Sequence, residues 1–96
     1  MISSFGDETT ADICHGNDAK SARRMRPELW SRIQNKLDLL NACTSIGDLR
    51  IPPANRLEKL RGDRAGFYSI HENQQYRIVF RFVNGKCEEV RCIDYH

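Results

Sequence analysis

Three side chains that can exchange protons stand together at the last positions of this sequence, namely Asp94, Tyr95 and His96. Among the arginines that precede them in the second half of the chain are Arg61, Arg64, Arg77, Arg81 and Arg91. Acid–base groups beside fixed positive charge are what in-line attack on a phosphodiester requires when no metal takes part. The residue types therefore indicate phosphodiester chemistry, and the alternative is a polar chain end without a catalytic role.

The composition fits one small domain that spans residues 1–96. Apolar residues make up 40% of the chain, which is enough for one compact core. No stretch approaches the roughly 20 apolar residues of a membrane span, and the first residues lack the basic and apolar regions of a secretory signal. We therefore expect a cytoplasmic protein with no membrane contact.

The cysteines predict neither disulfides nor a metal site. They are Cys14, Cys43, Cys87 and Cys92. Thiols stay reduced in the cytoplasm, and the spacings contain no Cys-x-x-Cys pair and no histidine pair at zinc-finger spacing. The sequence therefore predicts no metal and no cofactor.

Charge is distributed unevenly, although the net charge is only +2. Residues 1–18 hold four acids and no Lys or Arg, whereas residues 20–36 hold six bases and one acid. Residues 50–96 hold nine bases and six acids. This asymmetry favours an anionic partner, with nucleic acid first, and the alternative is a solvated charged surface.

Hydrophobic spacing predicts helices in the first half of the chain. A short helix is expected over residues 8–14 and a longer one over residues 27–42, with Pro27 at its first position. The apolar stripe of the longer helix consists of Leu29, Trp30, Ile33, Leu37 and Leu40. Residues 45–48 fit the start of a further helical turn.

Strands dominate the second half. Residues 1–5 and 55–61 are candidate short strands, residues 62–66 form a turn, and residues 67–71, 76–83 and 86–94 are predicted strands. Asn84-Gly85 predicts a tight two-residue hairpin between the last two. The expected fold is a small α+β domain, with a mainly antiparallel sheet of four to five strands and two to three N-terminal helices packed on one face.

The hairpin turn predicts a register. In a regular hairpin the opposed pairs are Val83–Lys86, Arg81–Glu88, Val79–Val90, Arg77–Cys92 and Gln75–Asp94. Since opposed residues share a face, Arg77, Asp94 and His96 are predicted to lie together, with Tyr95 on the other face. Cys92 beside Arg77 is an alternative nucleophile with a lowered pKa.

The same register leaves one conflict on the face that the helices should cover. That face carries Ile78 and Phe80, but it would also carry Glu89 and Arg91. A β-bulge near Glu88 and Glu89 would resolve the conflict.

Four segments of the sequence resemble HigB-type toxins of the RelE/ParE superfamily. They are residues 55–64, 66–70, 76–82 and 93–96, and the Met-Ile-x-Ser-Phe opening and the Leu-Asp-Leu-Leu helix agree with them. The resemblance covers essentially the whole chain and implies the fold of that superfamily.

The resemblance also implies a function and partners. Such toxins are ribosome-dependent endoribonucleases that cleave mRNA in the A site without a metal and so stop translation. The partners implied by the resemblance are the ribosome, mRNA and a helix-turn-helix antitoxin of the HigA type. Operator DNA would be bound only through the antitoxin complex.

Family positions carry over residue by residue. Asp94, Tyr95 and His96 match the functional C-terminal trio. Arg61 matches a basic family position that contacts phosphate, and Arg77 matches the Arg of the family's Trp-Arg-Ile segment. The implied catalytic residues are therefore His96, Tyr95, Asp94, Arg77 and Arg61, and the implied RNA-binding residues are Arg61, Arg64, Lys59, Arg77 and Arg56.

Two departures from the family pattern concern the chemistry. Glu58 stands where some members have a histidine, and neither Glu58 nor Lys59 is equivalent to an imidazole at neutral pH. Arg replaces Lys at position 61, which keeps the charge and changes the donor geometry.

Proton transfer can be assigned from reference pKa values. His96 is the favoured proton-transfer group because an imidazole titrates near neutrality, at about 6.5. Asp94 would orient it, and Tyr95 would donate a hydrogen bond or, less readily, act as the base. Arg77 and Arg61 would hold the phosphate.

Two other functions remain open at this point. One is a ParE-like gyrase inhibitor, which shares the fold and cleaves no RNA. The other is a non-catalytic module that binds RNA or a partner. Codon preference, toxicity and oligomeric state are not determined by the sequence.

Overall fold

The computed structural model describes residues 1–94, and the predictions for Tyr95 and His96 lie outside the described residues. Its α-helices are α1, Glu8–Cys14, and α2, Trp30–Ala42. Short 3-10 helices span Ala22–Arg24, Pro27–Leu29, Ile46–Arg50, Pro53–Asn55 and Gly62–Arg64. The predicted helix over residues 27–42 thus begins with a separate 3-10 turn at Pro27.

Four strands form an antiparallel sheet in the order β1-β2-β3-β4. They are β1, Glu58–Lys59; β2, Phe67–His71; β3, Tyr76–Val83; and β4, Lys86–Asp94. The last three have the predicted bounds, because alternation and turn residues specify them locally. The α+β fold with a mainly antiparallel sheet is confirmed.

The helices cover one face of this sheet. From α2, the side chains of Ile33, Leu37 and Leu40 are fully buried, in the same cluster as Ile78 and Phe80 of β3. This is the apolar stripe expected from i, i+4, i+7 spacing. The helix face of the sheet is therefore a packed core, and functional side chains must lie at its edges or on the other face.

The N-terminal segment runs parallel to β4 rather than forming a full strand. Ile2 bridges Cys87, and Phe5 bridges Val90. The N-terminal ammonium group donates to the carbonyl of Leu40 at 3.3 Å. The predicted first strand is thus a pair of isolated bridges that extend the sheet beyond β4.

A β-bulge interrupts the β3–β4 hairpin. The observed pairs are Val83–Lys86, Phe82–Cys87, Arg81–Glu88, Val79–Arg91, Ile78–Cys92, Arg77–Ile93 and Tyr76–Asp94. The first part of the predicted register is correct, and the shift falls between Val79 and Arg81. Glu89 at the bulge has a left-handed backbone, with φ of 53°. A bulge here confirms the resolution that the sequence offered for the conflict at Glu89 and Arg91.

The bulge overturns the second half of the predicted register. Arg77 lies opposite Ile93 instead of Cys92, and Asp94 lies opposite Tyr76 instead of Gln75. Since neighbouring residues of a strand point to opposite faces, Asp94 and Arg77 do not share a face. The prediction that Asp94 joins Arg77 through strand parity is wrong, because one extra residue reverses the parity of everything that follows it.

The predicted strand over residues 55–61 is shorter than expected. Only Glu58–Lys59 pairs with β2, while Pro53–Asn55 forms a 3-10 turn and Arg56 has a left-handed backbone with φ of 45°.

Among the described residues, no helix is long and apolar enough to cross a membrane.

Candidate active site

The Arg77 guanidinium is the centre of the site on the sheet face away from the helices. Its Nε donates to Ser69 Oγ at 2.8 Å, and its Nη2 donates to the Arg56 carbonyl at 2.7 Å. Arg77 is only 7% exposed. Two charge-assisted hydrogen bonds from a planar group fix its direction, so the positive charge is preorganised rather than mobile.

Glu58 faces this guanidinium from the edge strand. Its Oε1 lies 3.6 Å from Arg77 Nη1, and its side chain is 53% exposed. The placement follows from the sheet, because Glu58 pairs with Ser69 across β1–β2, and Ser69 itself contacts Arg77. A half-exposed carboxylate beside a buried cation can accept a proton from a molecule that approaches from solvent.

The carbonyl that holds Arg77 is positioned by the turn before β1. Asn55, which is fully buried, donates through Nδ2 to the Leu49 carbonyl at 3.1 Å. Lys36 Nζ donates to Asn55 Oδ1 at 2.5 Å. The left-handed backbone of Arg56 then turns its carbonyl toward Arg77. An RNA-binding role was predicted for the Arg56 side chain, and it is the backbone of this residue that contacts the site.

The other predicted basic residues surround β1 and the turn that follows it. Lys59 lies on β1, Arg61 follows it, and Arg64 ends the 3-10 helix Gly62–Arg64; these three side chains and that of Arg56 are exposed. They form a basic edge next to Glu58. Exposed cations of this kind suit a phosphate backbone, since they can move to meet it.

Arg81 lies farther along the same sheet face. Its guanidinium stands 5.3 Å from the centre of the Phe67 ring, and its Nε lies 3.9 Å from Glu89 Oε2. Arg81 lies opposite Glu88 in the register, as predicted, but because of the bulge its ion pair is with Glu89. Arg81 is therefore held by a ring and a carboxylate of its own sheet.

Cys92 is not a nucleophile beside Arg77. The bulge places it opposite Ile78, on the helix face, where its backbone N–H donates to Thr10 Oγ1 at 2.9 Å. Burial raises the pKa of its thiol to about 12, with the negative charge of Glu72 adding to the effect. A thiol in such surroundings stays protonated at neutral pH.

Two titratable residues at the end of β2, His71 and Glu72, were not selected by the sequence reasoning. His71 pairs with Arg77 across β2–β3, and its pKa is lowered by burial first and then by the neighbouring arginines and Lys36. Glu72 is buried, and that burial raises the pKa of its carboxyl group. No local sequence pattern indicates either residue, because the burial of each side chain depends on which segments pack over the end of β2.

Within residues 1–94, no three His, Cys, Asp or Glu side chains gather as a metal site. Asp94, at the end of the described chain, accepts a hydrogen bond from Gln75 Nε2 at 3.2 Å through its Oδ2. The structure thus brings together Arg77, Ser69, Glu58 and the Arg56 carbonyl. Asp94 lies opposite Tyr76, on the other face of the sheet from Arg77.

The model of the HigB-like toxin family, described as the RelE-like toxin of the type II toxin–antitoxin system HigB, matches residues 5–96. The chain therefore belongs to the HigB-like toxin family, as the resemblance implied, and is a toxin of a type II toxin–antitoxin system.

Individual proteins agree with this assignment. The chain is 41% identical over 68 residues to "Toxin HigB-1" of Vibrio cholerae, covering 71% of this chain and 72% of the relative. It is 37% identical over 65 residues to "Endoribonuclease HigB" of Proteus vulgaris, covering 68% and 70%. The solved YoeB–YefM complex from Staphylococcus aureus contains a chain of the same fold, with a TM-score of 0.62, 14% identity and coverage of 100% and 98%.

Proposed function

We propose that this toxin is an endoribonuclease that cleaves translated mRNA in the ribosomal A site and thereby stops translation and growth in the cytoplasm. The observation that carries the proposal is the buried Arg77 guanidinium, which is fixed by two hydrogen bonds and faces the half-exposed carboxylate of Glu58. The relative named "Endoribonuclease HigB" supports the same reaction class.

The proposed reaction is an attack of a ribose 2′-oxygen on the adjacent 3′-phosphorus. The new bond joins the 2′-oxygen to phosphorus, and the bond from phosphorus to the 5′-oxygen of the next nucleotide breaks. A base removes the 2′-OH proton, an acid protonates the leaving oxygen, and cations stabilise the crowded phosphorane. The products are a 2′,3′-cyclic phosphate and a 5′-hydroxyl end.

Side chains of this toxin can fill the three roles. Glu58 is the proposed base among the described residues, because its carboxylate is accessible and adjacent to the cation that would hold the phosphate. His96 is the proposed acid, and Tyr95 donates a hydrogen bond, as the sequence predicts for both. Arg77 stabilises the phosphorane, and Arg61 binds the phosphate from the exposed edge.

Asp94 takes a modified role in this proposal. It lies opposite Tyr76 and accepts from Gln75, so it acts by holding the end of β4 against β3. We assign it the predicted orienting role toward His96, and this role needs no shared face with Arg77.

We also propose the partners that the family implies. A helix-turn-helix antitoxin would neutralise the toxin, and operator DNA would be bound through that complex. The exposed basic residues Lys59, Arg61 and Arg64 would contact mRNA or ribosomal RNA by charge, which predicts weaker binding at higher salt.

The deciding experiment adds the purified toxin to a translation extract and maps the 5′ ends of the message. The proposal expects new 5′-hydroxyl ends inside translated codons, and none on the same message when ribosomes are omitted. Inhibition of DNA supercoiling by gyrase, with the message intact, would replace it with the ParE-like function. Binding without a cleaved product would leave only the RNA-binding module.

A further inference from the structure

A cleft of about 450 Å³ lies between α2 and the connection from β2 to β3. Its lining residues are Arg32, Asn35, Lys36, Ala54, His71 and Glu72. The volume falls within the roughly 300–1,000 Å³ of small-molecule sites. No role in the proposed cleavage reaction uses this cleft.

Glu72 is the unusual residue of the cleft. Its side chain is 1% exposed, and neither carboxyl oxygen has a hydrogen-bond partner among the described residues. The nearest cation is Arg32, whose Nε lies 3.7 Å from Glu72 Oε1. A buried acceptor without a donor is costly, and a ligand with a hydroxyl group could supply the donor.

The rest of the lining favours an anion. Arg32, with a side chain 62% exposed, lies on the same side of α2 as Lys36. Lys36 Nζ is held by Asn55 Oδ1 at 2.5 Å, so its charge is fixed near the cleft. His71 closes the cleft on the sheet side. Arg32 and Lys36 lie beside the buried acceptor Glu72. This arrangement suits a ligand that carries an anionic group and a hydrogen-bond donor close together.

We propose that this cleft is a ribonucleotide-binding subsite, in which Arg32 and Lys36 bind a phosphate and Glu72 accepts a hydrogen bond from the adjacent ribose hydroxyl. The 3.7 Å distance between Arg32 Nε and Glu72 Oε1 carries the assignment, because a phosphate on Arg32 and a donor on Glu72 must then lie close together in the ligand. In a nucleotide that donor is the 2′-hydroxyl beside a 3′-phosphate. DNA lacks this group.

The subsite is continuous with the Arg77 site. His71 lines the cleft and pairs with Arg77 across β2–β3, so the cleft begins one strand away from Arg77. The inference rests on the proposed function in this respect, since it names a second contact for the same RNA substrate. It requires no cleavage, however, and can be tested on binding alone.

The test uses the full-length toxin, ¹⁵N-labelled, and three probes: adenosine 3′-monophosphate, its 2′-deoxy analogue and inorganic phosphate. The backbone signals of Asn35, Ala54 and Glu72 and the His71 imidazole signals should shift on titration. We expect the ribonucleotide to bind about tenfold more tightly than the deoxynucleotide, the loss typical of one hydrogen bond to a charged group.

Matched variants assign the contacts. Lys36→Gln and Arg32→Gln should each weaken all three probes by about tenfold. Lys86→Gln, which removes the same charge at the far end of the β3–β4 hairpin, should leave the affinities unchanged. Glu72→Met keeps the length of the side chain without an acceptor, and it should erase the difference between ribonucleotide and deoxynucleotide while phosphate still binds.

Three results would overturn the subsite. They are the absence of shifts at 10 mM probe (on the order of the weakest affinity worth naming), equal affinity for ribose and deoxyribose, or cleft signals that respond only to an added antitoxin. Message mapping in the translation extract keeps the two proposals apart. A toxin that cleaves without binding nucleotides in the cleft refutes the subsite alone, and one that binds there without cleaving refutes the nuclease alone.

Discussion

Arg77 Nη2 donates a 2.7 Å hydrogen bond to the carbonyl of Arg56, a residue 21 positions earlier in the chain. The bond connects the turn before β1 to the start of β3. With the bond from Arg77 Nε to Ser69 Oγ, it leaves Nη1 to face Glu58. The direction of the Arg77 guanidinium therefore depends on a backbone conformation outside the strands.

Arg77→Lys should lower message cleavage by about 10²–10³-fold, the usual loss when one preorganised donor at a developing charge is removed. Lysine keeps the charge but cannot reach Ser69, Arg56 and a phosphate at once. Cleavage is measured in the translation extract, and circular dichroism checks the fold. Arg81→Lys, on the same face and partly exposed, is the matched control and should stay within about threefold. Full activity of Arg77→Lys would show that this guanidinium does not touch the reaction.

Glu58→Gln should lower the cleavage rate by about 10²–10⁴-fold, because an amide cannot accept the 2′-OH proton. Binding of the message to the toxin should be equal or tighter, because the variant removes a negative charge that repels the phosphate. Glu88→Gln, on the neighbouring strand pair of the same face, provides the control. Equal losses in both variants would point to a general charge effect instead of proton transfer at Glu58.

His96→Gln should abolish growth arrest at equal expression, with a loss of about 10²–10⁴-fold in cleavage. Thermal unfolding and antitoxin binding should match those of the unchanged toxin. This comparison separates a chemical role from a structural one. A variant that still arrests growth fully would remove His96 from the mechanism.

Glu72 predicts a pH-dependent stability. Burial raises its pKa above the unfolded value of 4.5, while Arg32 and Lys36 oppose the shift only in part. In the interval between these two pKa values the folded state binds more protons than the unfolded state, so stability falls as pH rises through it. Below the unfolded value both states are protonated and the penalty is absent.

Glu72→Met should accordingly raise the free energy of unfolding at pH 7 by about 1–3 kcal/mol, the typical cost of a buried polar group without a partner. The gain should shrink toward pH 4. Urea denaturation at both pH values measures it. A gain that is the same at pH 4 and pH 7 would contradict a charged buried carboxylate.

The bulge can be tested through its backbone. Glu89 has φ of 53°, which costs an L-residue other than glycine roughly 1 kcal/mol. Glu89→Gly should therefore stabilise the toxin by up to about 1 kcal/mol, whereas Glu88→Gly, at a regular strand position, should destabilise it by a similar amount. Thermal denaturation of the two variants gives the comparison, and a destabilised Glu89→Gly would mean that the bulge carries no backbone strain.

Most of the fold could be predicted because its signals are local. The alternation from Tyr76 to Val83, the Asn84-Gly85 turn and the apolar stripe of α2 each depend on residues within a few positions of one another. Arg77 was identified in the same way, from its place in a strand and from the family resemblance. Its position on the sheet face away from the helices follows from that alternation.

Only the tertiary structure decided which residues accompany Arg77. One additional residue at Glu89 reverses the strand parity, so Asp94 leaves the face that a regular hairpin would have given it. The Arg56 carbonyl and the buried Glu72 reach their places through segments distant in the chain. Sequence periodicity predicts which face of a strand or helix a residue occupies. Contacts between distant segments form only when the whole chain packs. A single bulge changes these contacts at a small cost in free energy.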